Sequence, residues 1–362
     1  MHRFLKPAPG WLILWAVILA ASTTTSTQAI STVNSGPFQV VFHDIGDSDG
    51  YLIGEGNWTD VQKQDVSASI TAWSSVINNT PGRTLTMHAF WAADLGSRVL
   101  GGSSSYRVYD EVSQSQWNIG EYTWKNQDNP ENYGISTPFD TVIQYDMGAG
   151  DVGYTWNFGA AAPTANQVDF RSVVTHEIGH SLGFDSSYYS GLDTFGVFLT
   201  SPTTGIYAGI TDWDRNLQDS LGNVPQNGSS GTPGDFLETS GSVYWTGPNA
   251  TALYGGLVPI YSPTTWQEGS SLVHVDETAL VNDIMSPSIG AGEMNRNPSA
   301  LDLAMMQDMG WAVVPEPGVA LIALGSLGWF ATRRPRRKAA APNPETRSPR
   351  RRCTRRCRTR VI

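Results

Sequence analysis

The feature that most constrains this chain is the run His176-Glu177-Ile178-Gly179-His180, an H-E-x-x-H sequence. Two histidines four residues apart share one face of an α-helix, about 6 Å apart along its axis, and can converge there on one ion. A helix is indicated independently by an apolar ridge at helical spacing, formed by Phe170, Val174, Ile178 and Leu182. The sequence therefore predicts a helix over 169–182, with Gly183 at its end.

The same run predicts the chemistry of a metal site. On such a helix the two imidazoles bind zinc, and the glutamate that follows the first histidine can act as general base toward the attacking water. We therefore expect His176 and His180 to be metal ligands and Glu177 to be the catalytic residue. A catalytic zinc site needs a third protein ligand. That ligand must be His, Asp or Glu, because both cysteines, Cys353 and Cys357, lie in an arginine-rich tail.

The segment around these residues resembles the metzincin zinc metalloproteases, in which a glycine three residues after the second histidine bends the chain toward the third ligand. In this chain that glycine is Gly183. The compact metzincin motif has its third ligand at the position of Ser186, and Asp185 stands one place early. The compact motif is therefore broken, and Asp185 stays open as an alternative ligand.

The string His180-Ser181-Leu182-Gly183-Phe184 resembles the leishmanolysin-type metzincins, where a long insertion separates the glycine from a distant third histidine. His274 is the one histidine downstream, and it precedes Asp283-Ile284-Met285-Ser286-Pro287, which resembles the Met-turn beneath the metal. The resemblance implies that His274 is the third zinc ligand and that Met285 is the Met-turn residue. A gluzincin-like enzyme would instead use an acidic third ligand such as Glu277 or Glu293.

The other histidines of the body and one acidic loop are interpreted as structural. His43 and His88 lie in apolar, strand-like segments, where a packed core or surface histidine is expected. The loop 44–50 misses the EF-hand template because Ile45 takes the first ligand position and Gly56 the last. Structural Ca²⁺ therefore has no support in the sequence, and we expect one catalytic Zn²⁺ as the cofactor.

The wider pattern predicts an α+β fold. Strands are predicted at 38–43, 84–91 and 141–145, and further helices at 60–77 and 299–309. The stretch 186–271 has no strong periodicity and is predicted to be irregular. The metzincin resemblance implies an N-terminal catalytic subdomain of mixed sheet and helix over 30–185. It also implies a C-terminal subdomain over 186–312 with the insertion, the third ligand and the Met-turn, and an active-site cleft between the two.

The N-terminus is predicted to be a secretory signal peptide over residues 1–29. Arg3 and Lys6 supply the positive start, 11–21 is the apolar stretch, and 27–29 offers small residues for cleavage. The apolar stretch is too short to span a bilayer comfortably. We therefore expect the protein to be exported.

The C-terminus resembles the PEP-CTERM sorting signal of Gram-negative bacteria. Pro315-Glu316-Pro317 is followed by an uncharged segment, 318–331, and then by a basic cluster at 333–338. The resemblance implies that 313–338 holds the exported protein at the inner membrane until a sorting transpeptidase processes it. The cations would stay on the cytoplasmic side. The basic tail 339–362 has no periodicity and is predicted to be disordered.

The charge distribution narrows the partners. Residues 30–314 carry 8 Lys+Arg and 31 Asp+Glu, a net charge of −23. So acidic a surface repels phosphate backbones, and we therefore expect no nucleic-acid partner.

Together these features predict an exported zinc metalloendopeptidase, a monomer, that hydrolyses peptide bonds in a peptide or protein substrate with Glu177 as general base. Processing would release it to the periplasm, the cell surface or the extracellular matrix. The alternative is a non-catalytic surface- or matrix-binding protein that keeps a metalloprotease fold. An intact Glu177 disfavours that alternative, because this residue is not needed to hold the metal.

Overall fold

Strands and helices alternate along the chain in the computed structural model, which describes residues 2–5, 31–78, 80–110, 113, 115–125, 139–150, 153–190, 205–207, 210–225, 230–231, 242–265, 267 and 269–314. Of the predicted signal peptide, residues 1 and 6–29 lie outside these described residues, as do 315–338 of the predicted sorting segment and the predicted tail 339–362. The architecture is mixed α and β, which agrees with the predicted α+β class.

The strands, in chain order, are β1 (His2–Leu5), β2 (Ser31–Ser35), β3 (Phe38–His43), β4 (Leu85–Ala92), β5 (Gly101–Ser105), β6 (Arg107–Asp110), β7 (Ser115–Asn118), β8 (Thr141–Asp146), β9 (Thr155–Asn157), β10 (Gln167–Asp169), β11 (Tyr188–Ser190), β12 (Gly205–Tyr207), β13 (Leu217–Asp219), β14 (Ser230–Gly231), β15 (Val243–Trp245) and β16 (Val258–Pro259). The helices are α1 (Asp60–Ser74), α2 (Ile119–Lys125), α3 (Phe170–Ser181), α4 (Pro248–Tyr254) and α5 (Ala300–Asp308), and a 3₁₀ turn spans Asp214–Asn216.

A five-stranded sheet in the order β2-β3-β4-β8-β5 is the framework of the N-terminal part. Strands β3, β4 and β8 run parallel, and the edge strands β2 and β5 run antiparallel to their neighbours. The predicted strand at 38–43 is confirmed, and those at 84–91 and 141–145 are confirmed to within one residue at each end. Because side chains alternate between faces, Phe38, Val40 and Phe42 all enter the core on one face.

Helices α1 and α3 pack together over that face of the sheet. Helix α1 begins at a capping box in which the Thr59 hydroxyl accepts from the Gln62 N–H and the Gln62 side chain accepts from the Thr59 N–H. It ends at Ser74, three residues before the predicted 77. The indole of Trp73 donates to the carbonyl of Thr175 at 2.8 Å, which fixes α1 against the helix of the H-E-x-x-H run.

Helix α3 has clear signals at both ends, and the helix predicted over 169–182 is confirmed. Asp169 caps its start by accepting from the Ser172 N–H at 3.1 Å. Gly183 follows its end with φ 108°, and a Cβ there would lie 2.7 Å from the Glu121 carboxyl carbon. Both the dihedral and the close approach of Glu121 require glycine at this position.

An aromatic cluster joins α3 to the sheet. The ring of Phe170, in the first turn of α3, lies 5.2 Å from Trp91 on β4 and 5.0 Å from Tyr145 on β8. Such contacts between large buried rings hold a helix at a defined height over a sheet. The helix therefore presents residues 176–180 at the β5 end of the sheet.

The part of the chain after residue 186 contains short helices and strands although its sequence has no strong hydrophobic periodicity. Strands β13, β15 and β16 form a small sheet, and Asp308 of α5 caps α4 by accepting from the N–H groups of Asn249 and Ala250 at 2.8 and 3.0 Å. The prediction of an irregular stretch over 186–271 is therefore wrong for these segments. Their boundary signals, Pro248 at the start of α4 and Gly255 with φ 86° after it, are local and easily overlooked.

Within the described ranges, no helix combines the length and the apolar character needed to cross a membrane. The predicted helix at 299–309 is confirmed as α5, which begins at a capping box of Ser299 and Asp302.

Candidate metal centre

Three imidazoles meet at one point in the cleft beside β5. His176 and His180 lie one turn apart on α3, and His274 comes from the loop after β16. Their Nε2 atoms form a nearly equilateral triangle, with separations of 3.0 Å for His176–His180, 3.2 Å for His180–His274 and 3.1 Å for His274–His176. The predicted ligands His176, His180 and His274 are thus adjacent, although more than ninety residues separate His274 from the helix.

Backbone carbonyls fix the orientation of each ring. The Nδ1 atom of His176 contacts the carbonyl of Ile284 at 2.6 Å, that of His180 the carbonyl of Phe184 at 2.6 Å, and that of His274 the carbonyl of Ser270 at 2.8 Å. A carbonyl oxygen can only accept a hydrogen bond, so each Nδ1 carries the proton. Each Nε2 is therefore left with a lone pair, and the three lone pairs converge.

The rings are neutral at pH 7. Burial, followed by the charge of the nearby His180, lowers the pKa of His176 to about 3. Burial likewise lowers the pKa of His180 to about 4. For His274 burial, followed by the charges of His180 and His176, holds the pKa well below its usual value. Only neutral imidazoles bind metal ions, so this electrostatic environment suits ligands.

These three residues fit a divalent cation of the zinc class. Three lone pairs at 3.0–3.2 Å repel one another unless a positive charge lies between them. In a tetrahedral zinc site with Zn–N bonds of about 2.0–2.1 Å, the ligand nitrogens lie roughly 3.3 Å apart. The carbonyl contacts at Nδ1 are also the outer-shell contacts that orient histidine ligands in zinc proteins.

Glu177 lines the same cleft, with 5% of its surface exposed. Burial raises the pKa of its carboxyl group to about 8. Strand β5 passes close to this carboxyl group. A Cβ at Gly101 would lie 3.1 Å from Glu177 Oε1. Glycine at position 101 therefore leaves the carboxyl group room to face the cleft.

Met285 is fully buried and packs against the helix between His176 and His180. Its carbonyl accepts from the N–H of Val275, the residue after His274, at 3.0 Å. A Cβ at Gly179, between the two helical histidines, would lie 2.6 Å from the Met285 sulfur. The turn that carries Met285 thus packs both the helix and the His274 segment into one unit.

The alternative acidic ligands have other partners. Asp185 forms an ion pair with Arg107 at 2.5 Å. Glu277 accepts from Ser288, and Glu293 accepts from the N–H of Gly290 at 2.8 Å. Ser186, at the compact-motif position, donates to Asp214. Among the described residues, the group of possible ligand atoms around His176 contains histidines alone.

The cleft around the site has a volume of about 1120 Å³. Strand β5 forms one wall, and parts of the segments 269–274 and 282–289 form the other. The sequence interpretation did not identify β5 as part of the site. Its small residues, Gly-Gly-Ser-Ser-Ser, show no alternation of apolar and polar side chains that would predict a strand.

A scan against protein-family models gave no match, and searches among curated proteins and among solved structures likewise found no similar chain.

Proposed function

We propose that this chain is an exported zinc endopeptidase of metzincin type, similar to the leishmanolysin branch. One observation carries the proposal. The Nε2 lone pairs of His176, His180 and His274 converge at 3.0–3.2 Å while each Nδ1 is engaged by a carbonyl. Without a cation this arrangement is repulsive, and three imidazoles with an open fourth position are the ligand set of catalytic zinc.

A bound zinc ion would supply Lewis-acid chemistry, which polarises a scissile carbonyl and makes water a stronger acid. The three histidines would hold the ion, and the carbonyls at their Nδ1 atoms would keep the rings in position. Glu177 would accept the proton of the attacking water and pass it to the leaving amine. Burial favours the neutral form of this carboxyl group, whereas a neighbouring cation would favour the carboxylate that a base requires.

The wall formed by β5 supports an extended peptide as the substrate. This strand is the last in the five-stranded sheet, next to β8, and its residues 101–105 line the cleft. The edge of a sheet can pair with an extended peptide through main-chain hydrogen bonds. A Cβ at Gly102 would meet no atom of the described residues within 4 Å, which is consistent with space beside this strand.

Export and membrane sorting rest on the sequence. The signal peptide proposed for 1–29 and the sorting segment proposed for 313–338 would bring the body to the outer side of the inner membrane. The non-catalytic binding protein is the weaker candidate, because Glu177 is retained and faces the cleft beside the histidines.

Zinc analysis combined with casein hydrolysis by the purified full chain tests the proposal. We expect about one zinc ion tied to the three histidines, hydrolysis that a chelator abolishes, and recovery when Zn²⁺ is restored. The control is the His176→Ala, His180→Ala double variant, which should lack both that zinc and the hydrolysis. Hydrolysis that persists in this control would reject the assignment.

A further inference from the structure

A second histidine cluster lies away from the cleft and is formed by His43, Asp49 and His88. Each residue offers one potential ligand atom, and these atoms all lie within 4.8 Å of one another. The Nδ1 atom of His88 contacts Asp49 Oδ2 at 3.1 Å, and the rings of His43 and His88 have centroids 4.8 Å apart.

The sheet register brings the two imidazoles together. His88 on β4 is paired with Val41 on β3, and His43 stands two residues further along β3. Side chains two residues apart point to the same face of a strand, so His43 and His88 share a face. Phe42 points to the other face, where its ring packs at a tilt against Trp58 in the core beneath the helices. The cluster is therefore on the side of the sheet opposite to α3 and the three-histidine site.

Asp49 is held in a fixed orientation. Its Oδ1 atom accepts from the N–H groups of Tyr51 and Leu52 at 2.8 and 2.9 Å, and only Oδ2 faces His88. The Asp49 side chain is 1% exposed. The backbone contacts at Oδ1 fix the carboxylate in the way that outer-shell hydrogen bonds orient ligating carboxylates, and they leave Oδ2 to face the cluster.

One ring nitrogen of His43 is available to bind a ligand. It is 5% exposed, and among the residues that the structure describes its buried Nε2 atom has no hydrogen-bond partner. Its ring stacks flat on Phe90 at 4.3 Å, which fixes its plane. A buried, unpaired imidazole nitrogen costs free energy, and a native structure rarely keeps one without a reason.

We propose that His43, Asp49 and His88 form a second metal site that binds Zn²⁺ and ties the loop 44–50 to strands β3 and β4. Two imidazoles and one carboxylate are a ligand set that zinc accepts. A cation in this cluster would satisfy the free nitrogen of His43. The proposal is independent of the proposed peptidase function, because it concerns different residues on the other face of the sheet.

The electrostatic environment supports a cation at this site. Asp44 and Asp47 are close enough to act on His43 through their charges. They add negative potential around a pair of imidazoles, which would attract a divalent ion.

The test uses a full chain in which the cleft site is disabled and the tail thiols are replaced. His176→Ala and His180→Ala remove the site in the cleft, and Cys353→Ser and Cys357→Ser remove the thiols of the tail. Zinc binding by this four-substitution chain is measured by equilibrium dialysis against Zn²⁺ alone. Co²⁺ absorption reports the coordination independently of any catalytic activity. We expect one ion per chain, with Co²⁺ bands typical of nitrogen and oxygen ligands.

Asp49→Asn in this chain should weaken zinc binding by roughly tenfold or more. The matched control is Asp47→Asn, a carboxylate of the same loop outside the cluster, which should change the affinity by less than about threefold. Far-UV circular dichroism and thermal melting without metal establish that each variant is folded. If Asp49→Asn fails that check, His88→Gln replaces it in the same comparison. A four-substitution chain that binds no zinc, or a folded ligand variant with unchanged affinity, overturns the proposal.

Discussion

Gly179 of α3 lies so close to Met285 that a Cβ at position 179 would come within 2.6 Å of the methionine sulfur. The same Cβ would lie 3.2 Å from Cζ2 of Trp73 on α1. A glycine in the middle of a helix normally costs stability. At this position it allows the turn that carries Met285 to pack directly against the helix backbone.

Gly179→Ala should therefore destabilise the protein despite the better helix propensity of alanine. Alanine gains about 1 kcal/mol over glycine in a helix, whereas overpacking a rigid core costs about 1–3 kcal/mol, so we expect a net loss of about 1 kcal/mol. Urea unfolding measures it. Gly120→Ala in α2, where the nearest atom to the new Cβ is 3.4 Å away, is the control and should not destabilise.

The cause of that loss can be separated from other effects by adding Met285→Ala. Met285→Ala alone should cost about 2–5 kcal/mol because it leaves a cavity. In the double variant the added methyl group at position 179 enters the cavity left by Met285→Ala. The loss of stability measured for the double variant should therefore be smaller than the sum of the two single losses. Strict additivity would show that the Gly179–Met285 contact is not the source.

Glu177→Gln should keep zinc and lose hydrolysis. The side chain is not one of the three converging imidazoles, so metal content should match the wild type. Loss of the general base should lower kcat by about 10²–10⁴-fold. The control is Glu293→Gln, a carboxylate of the same cleft that accepts from the Gly290 N–H. Near-wild-type turnover of Glu177→Gln would remove this residue from the mechanism.

Several parts of this structure are predictable from the sequence because their signals are local. The helix α3 follows from an apolar ridge, the cap Asp169 and Gly183, which all lie within fifteen residues. The strand β5 does not, because small residues at a sheet edge carry no apolar alternation. The proximity of His274 to the helix was expected only through a family resemblance, since no local pattern spans the intervening segment.

Two kinds of site feature have no sequence signal at all. The carbonyl of Ile284 orients His176, but every residue has a carbonyl, so its identity cannot reveal this contact. His43 and His88 were interpreted as packing histidines, and their shared face depends on the pairing of Val41 with His88. Pairing register between distant strands is set by the whole sheet rather than by the residues themselves.

Deletion of residues 315–362 should release an active body into the soluble fraction. The proposed anchor, 315–338, is apolar and then basic, and its removal takes away the segment that would hold the protein at the membrane. Cell fractionation followed by casein hydrolysis checks both properties. If the shortened protein stays in the membrane fraction, the anchor proposal is wrong.

The ion pair between Asp169 and Arg296 should make stability depend on acid pH. Burial acts to raise the pKa of Asp169, but hydrogen bonds from Arg296, Ser172 and Asn157 outweigh it and lower the pKa below its usual value. The unfolded chain then binds the proton more readily than the folded one. The contribution is therefore complete above the unfolded pKa of about 3.9 and is lost as the pH falls through the lower, folded value.

Arg296→Met tests this coupling. It leaves Asp169, which is fully buried, without its cation and should cost about 3–5 kcal/mol at pH 7. In the variant the strongest influence that lowers the pKa of Asp169 is gone, so the difference from wild type should shrink as the pH falls below about 4. Urea unfolding of both proteins between pH 3 and pH 7 measures the difference. A difference that does not change with pH would contradict the mechanism.

The third ligand can be identified by comparing two substitutions. His274→Ala removes one of three converging Nε2 atoms and should weaken zinc binding by about 100-fold or more, since two imidazoles alone hold zinc poorly. Asp185→Ala should leave the affinity largely unchanged, because Asp185 is paired with Arg107 at 2.5 Å. Its cost should appear in unfolding instead, because the buried Arg107 loses the carboxylate of its ion pair and keeps the weaker contact with the Ser186 carbonyl. Competition with a zinc-binding dye measures both affinities, and a larger loss in Asp185→Ala than in His274→Ala would reverse the assignment.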